Sequence, residues 1–216
     1  KRQASNKETR DPRLYKNVLT NGSIWQKQKV EIFEGGKNKI LDGSTKTGYY
    51  LRKYMNPSVS LDPDKPNKLY HHYVLFRYAE ILLNYAEAMN EWKGPDATAE
   101  GCPLTARAAL NQVRDCADMK HVTENGADFT AKVRNERRIE LAFEGHRFYD
   151  IRRWRIAGLD EVRNLYGVKI TKSGTSLSYE KVLLQQMYWN DKMYLFPYPQ
   201  NEIYMNPDLG QNPGWS

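Results

Sequence analysis

The sequence predicts an all-α protein with long irregular loops and a few short strands. Apolar residues recur at helical spacing through the middle of the chain, Gly and Pro interrupt its first part, and four prolines follow Tyr194. With 216 residues, of which 40% are apolar, the chain is long enough to bury a substantial core.

Residues 1–67 are predicted to consist mainly of loops. The residues that break regular structure there include Gly22, Gly35, Gly36, Gly43, Gly48, Pro57, Pro63 and Pro66. Short β-prone pieces lie between them, such as "KVEIF" at 29–33 and "GYYLRKY" at 48–54. We expect these pieces to form a few short strands.

Residues 68–158 are predicted to be helical. Apolar residues from Leu75 to Ala86 follow a helical stripe, which indicates a helix from about Tyr70 to the Gly94-Pro95 pair. A second helix follows Pro103, so residues 70–119 should form an antiparallel helix pair. A third helix is expected over about 128–143, and a fourth over about 147–157.

Residues 159–216 combine a mixed region with a proline-rich tail. The four prolines after Tyr194 predict that no helix forms there. The tail must then stay ordered by packing its aromatic side chains, and we expect it to pack against residues 134–154.

The stretch "VRNERRIELAFEGHRFYDIRRW" at 133–154 is dense in charge. Glu136, Glu140 and Glu144 recur every four residues, a spacing that suits either a metal site or a set of ion pairs. A dimetal site requires a Glu-x-x-His partner helix, which the other histidines do not provide, so we expect no metal and no cofactor. The preferred interpretation is a structural ion network. Its predicted members are Arg134, Glu136, Arg137, Arg138, Glu140, Glu144, Asp150 and Arg153.

The positive charge does not by itself indicate nucleic acid. The net charge is +7, but acidic residues alternate with the arginines of the charged stretch and would repel phosphates. We therefore expect no nucleic-acid partner. The two cysteines, Cys102 and Cys116, are expected to lie too far apart along a helix to form a disulfide.

Two passages carry a specific resemblance: "RNERRIELAFEGHRFYDIRRW" at 134–154 and "LFPYPQNEIYMNPDLGQNPGW" at 195–215. Together they resemble the C-terminal half of the RagB/SusD family of outer-membrane nutrient-binding lipoproteins. Shorter passages at 10–19, 47–57, 75–91 and 109–119 support the resemblance in the same order. We therefore expect residues 1–216 to be the C-terminal part of one SusD-like domain.

The resemblance implies a fold and a function. The fold would be tetratricopeptide-like helix pairs in an α-α superhelix, carried on the outer face of the outer membrane by an N-terminal lipid absent from this chain. The protein would cap a TonB-dependent transporter and bind an oligo- or polysaccharide, or sometimes peptides, without catalysis. A tetratricopeptide-like scaffold for protein or peptide partners and a two-carboxylate glycosidase are the alternatives.

Aromatic residues among the loops are the candidates for sugar contact. Trp25, Tyr49 and Tyr50 lie among Gly and Pro rather than on a helical stripe, and an aromatic ring can stack on the C–H face of a sugar. The alternative is that these rings only pin the loops to the helical core.

Overall fold

The computed structural model describes residues 10–40, 44–60 and 62–215. The helices are α1 Arg13–Asn17, α2 Tyr78–Lys93, α3 Ala106–Asp115, α4 Gly126–Glu140, α5 His146–Arg153, α6 Asp160–Arg163 and α7 Gln200–Met205. The strands are β1 Val18–Leu19, β2 Ile24–Trp25, β3 Gln28–Lys29, β4 Tyr50–Leu51, β5 Asn164–Ser173 and β6 Ser176–Gln186. They form three antiparallel pairs, β1 with β4, β2 with β3 and β5 with β6.

The main core lies among α2, α3 and α4. Leu83, Leu110, Phe129 and Val133 are fully buried there. The amide of Arg107, in the first turn of α3, donates to the carbonyl of Pro95 just beyond α2, so the two helices run in opposite directions. The predicted helix pair is confirmed in this region.

The first helix of that pair begins later than predicted, at Tyr78 instead of near Tyr70. Arg77 has an extended backbone with φ −150° and ψ 164°, and Leu75 is 79% exposed. Most residues of 70–77 are aromatic, His or Val, which are weak helix formers. The apolar stripe therefore begins before the first residue of the helix.

The expectation of no helix after Tyr194 is wrong, because α7 spans Gln200–Met205. A short 3-10 helix, Asp191–Tyr194, also precedes the tail. Pro199 occupies the N-cap of α7, where a missing N–H costs nothing, and the next proline is Pro207. The tail does contact the charged stretch, since Phe196 stacks on Phe148 with ring centroids 6.0 Å apart.

The β5–β6 hairpin is longer than any strand pair expected from the sequence. Val168 of β5 pairs with Lys181 of β6, and Gly174 adopts a φ of +58° at the turn. Ile170 packs with Val30 and Ile32 into a second, smaller core. The predominantly helical class is confirmed, but this hairpin adds a β element that supports the loops. No helix in the described ranges combines the length and the hydrophobicity needed to cross a bilayer.

Candidate functional site

Three glutamates at the end of α4 form the centre of an ion network. Glu136 is 1% exposed and accepts hydrogen bonds from Arg13, at 2.5 Å, and from Arg114. Glu140 accepts from Arg13 at 2.7 Å and from Arg77 at 2.6 Å. Each of these carboxylates therefore joins two cations that come from different parts of the chain.

The third glutamate continues the same pattern. Glu144 accepts from Arg77 at 2.9 Å and from Lys53 at 2.5 Å. Burial alone would raise the pKa of the Glu144 carboxyl, but the hydrogen bonds from Arg77 and Lys53 outweigh it and hold that pKa below its ordinary value. The carboxylate is therefore held in its charged form.

This network docks the loop-rich segment onto the helices. Arg13 lies in α1 and Lys53 follows β4, whereas Arg77 and Arg114 belong to the helical part of the chain. Burial would lower the pKa of the Arg13 guanidinium, but its hydrogen bonds to Asp11, Glu136 and Glu140 raise it. A buried charge that is paired on several sides fixes position, so the network sets where residues 10–19 and 50–55 lie.

A second group of ion pairs joins α4, α5 and α2. Arg137 donates to Asp150 at 2.9 Å, and Arg153 donates to the same carboxylate at 2.9 Å. Arg153 also donates to Glu87 of α2 at 2.7 Å, and the Trp154 indole donates to Glu87 at 2.7 Å. The predicted residues Arg137 and Arg153 therefore meet at the predicted Asp150. Glu87, which the sequence analysis did not select, links Arg153 and Trp154 to α2.

Two predicted members lie outside the network. Arg134 is half-buried with its guanidinium over the Trp154 ring, 5.2 Å from the ring centroid. Arg138 is exposed, and neither arginine makes an ion pair among the described residues. An α-helix turns by about 100° per residue, so residues two positions apart lie on nearly opposite faces. Arg134 and Arg138 each lie two positions from a network glutamate and are therefore on the opposite side of α4.

Of the three aromatic residues predicted to contact sugar, two pack on the second core. Trp25 and Tyr50 are half-buried against the cluster of Val30, Ile32 and Ile170. These rings contact the hairpin core and not the helical core named in the alternative interpretation. Whether the exposed part of either ring also receives a ligand stays a prediction.

The third predicted residue has a different position. Tyr49 lines a small cavity of about 30 Å³ together with Tyr15, Asn21 and Tyr179. This volume holds no more than a water molecule, so the cavity has no room for a sugar ring. Neither Trp25 nor Tyr50 is among the described residues that line this cavity.

A larger cleft lies beside the hairpin, and we call it the hairpin cleft. Its volume is about 760 Å³, and it is open to solvent. Its described lining residues are Glu34, Gly35, Lys39, Ile40, Lys46, Val168, Lys169, Ile170, Val182 and Leu184. A cleft of this size is within the range of about 300–1,000 Å³ that is typical of ligand sites.

Backbone contacts hold the walls of the hairpin cleft in place. The amide of Glu34 donates to the Ile170 carbonyl at 3.1 Å, and the amide of Val168 donates to the Thr47 carbonyl at 2.9 Å. Gly48 has a φ of +76°, and a Cβ there would lie 2.5 Å from the Val168 carbonyl oxygen. Only glycine permits this approach of the loop to β5.

The possible metal ligands and the two cysteines were also located within the described ranges. No group of three or more His, Cys, Asp or Glu residues there is arranged to hold a metal ion. Cys102 and Cys116 are both free thiols. Cys102 precedes α3 and Cys116 follows its last residue, so the helix separates them.

Sequence reasoning missed both the network's partners and the hairpin cleft. The partner cations Arg13, Lys53 and Arg77 lie in passages used for the family resemblance, yet nothing local marks them as partners of α4. The lysines of the cleft are spread over two distant segments, at 39–46 and at 169. Alternation in "VKITK" is the signal that could have indicated β5.

Comparisons with known proteins agree with this architecture. The family model described as the SusD family matches residues 1–215. A SusD-like protein from Bacteroides fragilis is 32% identical, with a TM-score of 0.76 over 97% of this chain and 40% of that chain. A SusD-like carbohydrate binding protein from the same species is 29% identical, with a TM-score of 0.67 over 94% of this chain and 42% of that chain.

A curated relative gives a similar result. SusD-like protein P25 of Formosa agariphila is 29% identical over 171 residues, which are 72% of this chain and 27% of that protein. The chain therefore spans less than half the length of each of these relatives.

Proposed function

Because this chain belongs to the SusD family, we propose that it takes part in non-catalytic binding of glycans. The observation that carries the proposal is the match of the family model to residues 1–215. A solved relative that shares the fold is described as a carbohydrate binding protein, which supports the same conclusion. The chain spans only part of its relatives, so the activity of the whole protein is part of this proposal.

The hairpin cleft is the proposed place of contact. It combines an apolar floor, formed by residues such as Ile40, Val182 and Leu184, with charged side chains at its rim. Glycans expose both C–H faces and hydroxyl groups, so a shallow site for them needs apolar and polar contacts together. The cleft is also open, which suits an oligosaccharide longer than the cleft itself.

We further infer the setting in which this binding takes place. The protein would sit on the outer face of the outer membrane, held by an N-terminal lipid, and would act with a TonB-dependent transporter. Its helices would belong to tetratricopeptide-like pairs. These statements rest on the family resemblance, and purification of the tagged protein with its transporter from native membranes would test them.

A panel of neutral and acidic oligosaccharides tests the proposed binding. We expect calorimetry to detect binding of at least one member, and chromatography of the same mixtures to find no cleavage products. Val182→Trp, which fills the cleft, should weaken binding about tenfold or more. Its matched control is Leu183→Trp, which lies next to it on β6 but points to the other face.

The outcomes separate the functions. Absence of binding across the panel would contradict glycan capture, and cleavage products would indicate the glycosidase alternative. Equal losses in the Val182→Trp and Leu183→Trp variants would move the glycan site away from the hairpin cleft.

The segment at 69–81, which leads into and begins α2, is rich in exposed apolar side chains. It favours a second candidate function, contact with another polypeptide. Large apolar side chains are exposed along this segment at Leu69, Tyr70, Tyr73, Val74, Leu75, Phe76, Tyr78 and Ile81. Contiguous apolar surface of this kind marks interaction sites. A Leu75→Asp and Phe76→Asp double variant that loses its protein partner while keeping glycan affinity would support the scaffold function.

A further inference from the structure

The rim of the hairpin cleft is unusually rich in lysine. Lys39, Lys46 and Lys169 line it, against the single carboxylate of Glu34 among the described lining residues. Lys169 lies 3.4 Å from Glu34, and both side chains are more than half exposed. Lys39 and Lys46 have no ion-pair partner within the described ranges.

The cations of the ion network behave differently. Arg13, Arg77 and Lys53 each contact carboxylates at distances between 2.5 and 2.9 Å, and these carboxylates are largely buried. Such cations are committed to the fold and cannot bind a ligand without breaking an ion pair. Lys39 and Lys46 of the cleft can meet an incoming anion without that loss.

The apolar part of the cleft points to the same class of ligand. Its floor is aliphatic, with Ile40, Val182 and Leu184, and no aromatic residue is among the described lining residues. An aromatic ring can stack on the C–H face of a neutral sugar, while polar groups form hydrogen bonds with its hydroxyls. A cleft without such a ring needs another source of affinity, and its ammonium groups provide one.

We propose that the hairpin cleft selects acidic glycans, meaning chains that bear carboxylate or sulfate groups. This inference rests on the proposed glycan-binding function and names the substrate class of that same site. The ammonium groups of Lys39 and Lys46, which have no ion-pair partner among the described residues, donate charge-assisted hydrogen bonds to the acidic groups. The aliphatic floor contacts the C–H faces between them.

Two carboxylates of the described residues lie near the cleft lysines, and neither cancels this preference. Glu180 lies opposite Lys169 in the β5–β6 register, but it does not line the cleft. Glu34 forms an ion pair with Lys169, which leaves Lys39 and Lys46 available for a ligand. The absence of an aromatic platform among the described lining residues also disfavours single-stranded nucleic acid, whose bases bind by stacking.

The test uses tetragalacturonate and its fully methyl-esterified form, in which each charged carboxylate is replaced by a neutral methyl ester on the same sugar chain. Calorimetry on the full chain should show tighter binding of the acid, and 0.5 M salt should reduce the difference. Lys39→Gln and Lys46→Gln should each weaken binding of the acid about tenfold, as expected for one charge-assisted hydrogen bond. Neither should alter binding of the ester.

The matched control is Lys120→Gln. Lys120 is exposed on the loop between α3 and α4 and does not line the cleft, so this change should leave both affinities as they are. Melting temperatures of all variants should equal that of the unsubstituted chain, because the three lysines are on the surface. A sulfated tetrasaccharide serves as the second acidic probe.

Each outcome bears on a separate claim. Equal binding of acid and ester, or an unchanged affinity in both cleft variants, overturns the selection of acidic glycans while leaving glycan binding intact. A single-stranded DNA oligonucleotide of equal charge that binds as tightly as tetragalacturonate overturns it as well. Failure of every oligosaccharide, neutral or acidic, contradicts the proposed function itself.

Discussion

Replacing Glu136 by alanine is the sharpest test of the ion network. Glu136 is 1% exposed and receives hydrogen bonds from Arg13 and Arg114. The substitution removes the only carboxylate with which Arg114 forms an ion pair in the described ranges. It also leaves an empty space beside two guanidinium groups that remain charged.

The expected loss is large because a buried cation is left without its partner. Breaking a buried ion pair from one side costs about 3–5 kcal/mol. Arg13 retains Asp11 and Glu140, and Arg114 retains the carbonyl of Lys120, so we expect the lower end, about 3 kcal/mol. Since domains of this kind are stable by about 5–15 kcal/mol, the change should be unmistakable.

The assay is urea denaturation followed by far-UV circular dichroism. Glu100→Ala is the matched control, because Glu100 is exposed on a loop, and it should change the free energy of unfolding by less than about 0.5 kcal/mol. Replacing both partners, Glu136→Met with Arg114→Met, should recover part of the loss because no charge is stranded between them. If Glu136→Ala lowered the free energy of unfolding by less than about 1 kcal/mol, Glu136 would not hold a stranded cation in place. The same conclusion would follow if the Glu136→Met, Arg114→Met double variant were less stable than Glu136→Ala.

Three further predictions concern the loops and the pH dependence. Gly48→Ala should lower the melting temperature and displace the loop that borders the hairpin cleft. Gly48 has a φ of +76°, and the added Cβ would lie 2.5 Å from the Val168 carbonyl oxygen. An unchanged melting temperature would contradict this. Hydrogen bonds from Arg77 and Lys53 outweigh burial and hold the pKa of Glu144 below the ordinary 4.5. The contribution of Glu144 to the free energy of unfolding should therefore be complete above pH 4.5 and be lost as the pH falls through the lowered pKa of the folded state. In acid titrations, a Glu144→Gln variant should show a flatter pH dependence of that free energy. Trp25→Ala should lower the melting temperature, because its ring packs on the hairpin core; an unchanged melting temperature with weaker glycan binding would make it a sugar platform instead.

The helical part of the fold could be predicted because its signals are local. The apolar stripes of α2 and α3 depend on residues within a few turns. The end of the third helix was less well predicted, because α4 ends at Glu140 and Gly145, with a φ of +83°, is instead the N-cap of α5. The partners of the ion network depend on contacts between distant positions. Glu140 binds Arg77 at a sequence separation of 63 and Arg13 at 127. A single sequence carries no signal for which cation meets which carboxylate across such separations.

The hairpin was missed for a physical reason. Almost every residue of β6 is exposed, and only Val182 is partly buried. Its sequence alternates polar and apolar residues only over Ser176–Tyr179 and then loses the pattern. In β5 the alternation is short, because only Gly167 and Ile170 are buried. A strand whose two faces both meet solvent leaves little periodicity to detect.

Positive charge has two roles in this chain: some cations form the ion pairs of the fold, and others remain on the surface to attract anions. This division explains why the net charge predicted so little about the fold. In the two groups of ion pairs described above, six carboxylates pair with six cations, namely Asp11, Glu87, Glu136, Glu140, Glu144 and Asp150 with Arg13, Lys53, Arg77, Arg114, Arg137 and Arg153. These pairs are electrically neutral as a group, so the excess of +7 lies entirely outside them. Stability then depends on whether each pair is intact, whereas attraction of anions depends on the unpaired surface cations. Raising the salt concentration should therefore weaken binding of acidic glycans at Lys39 and Lys46 far more than it lowers the melting temperature, because buried pairs are screened much less than exposed charges.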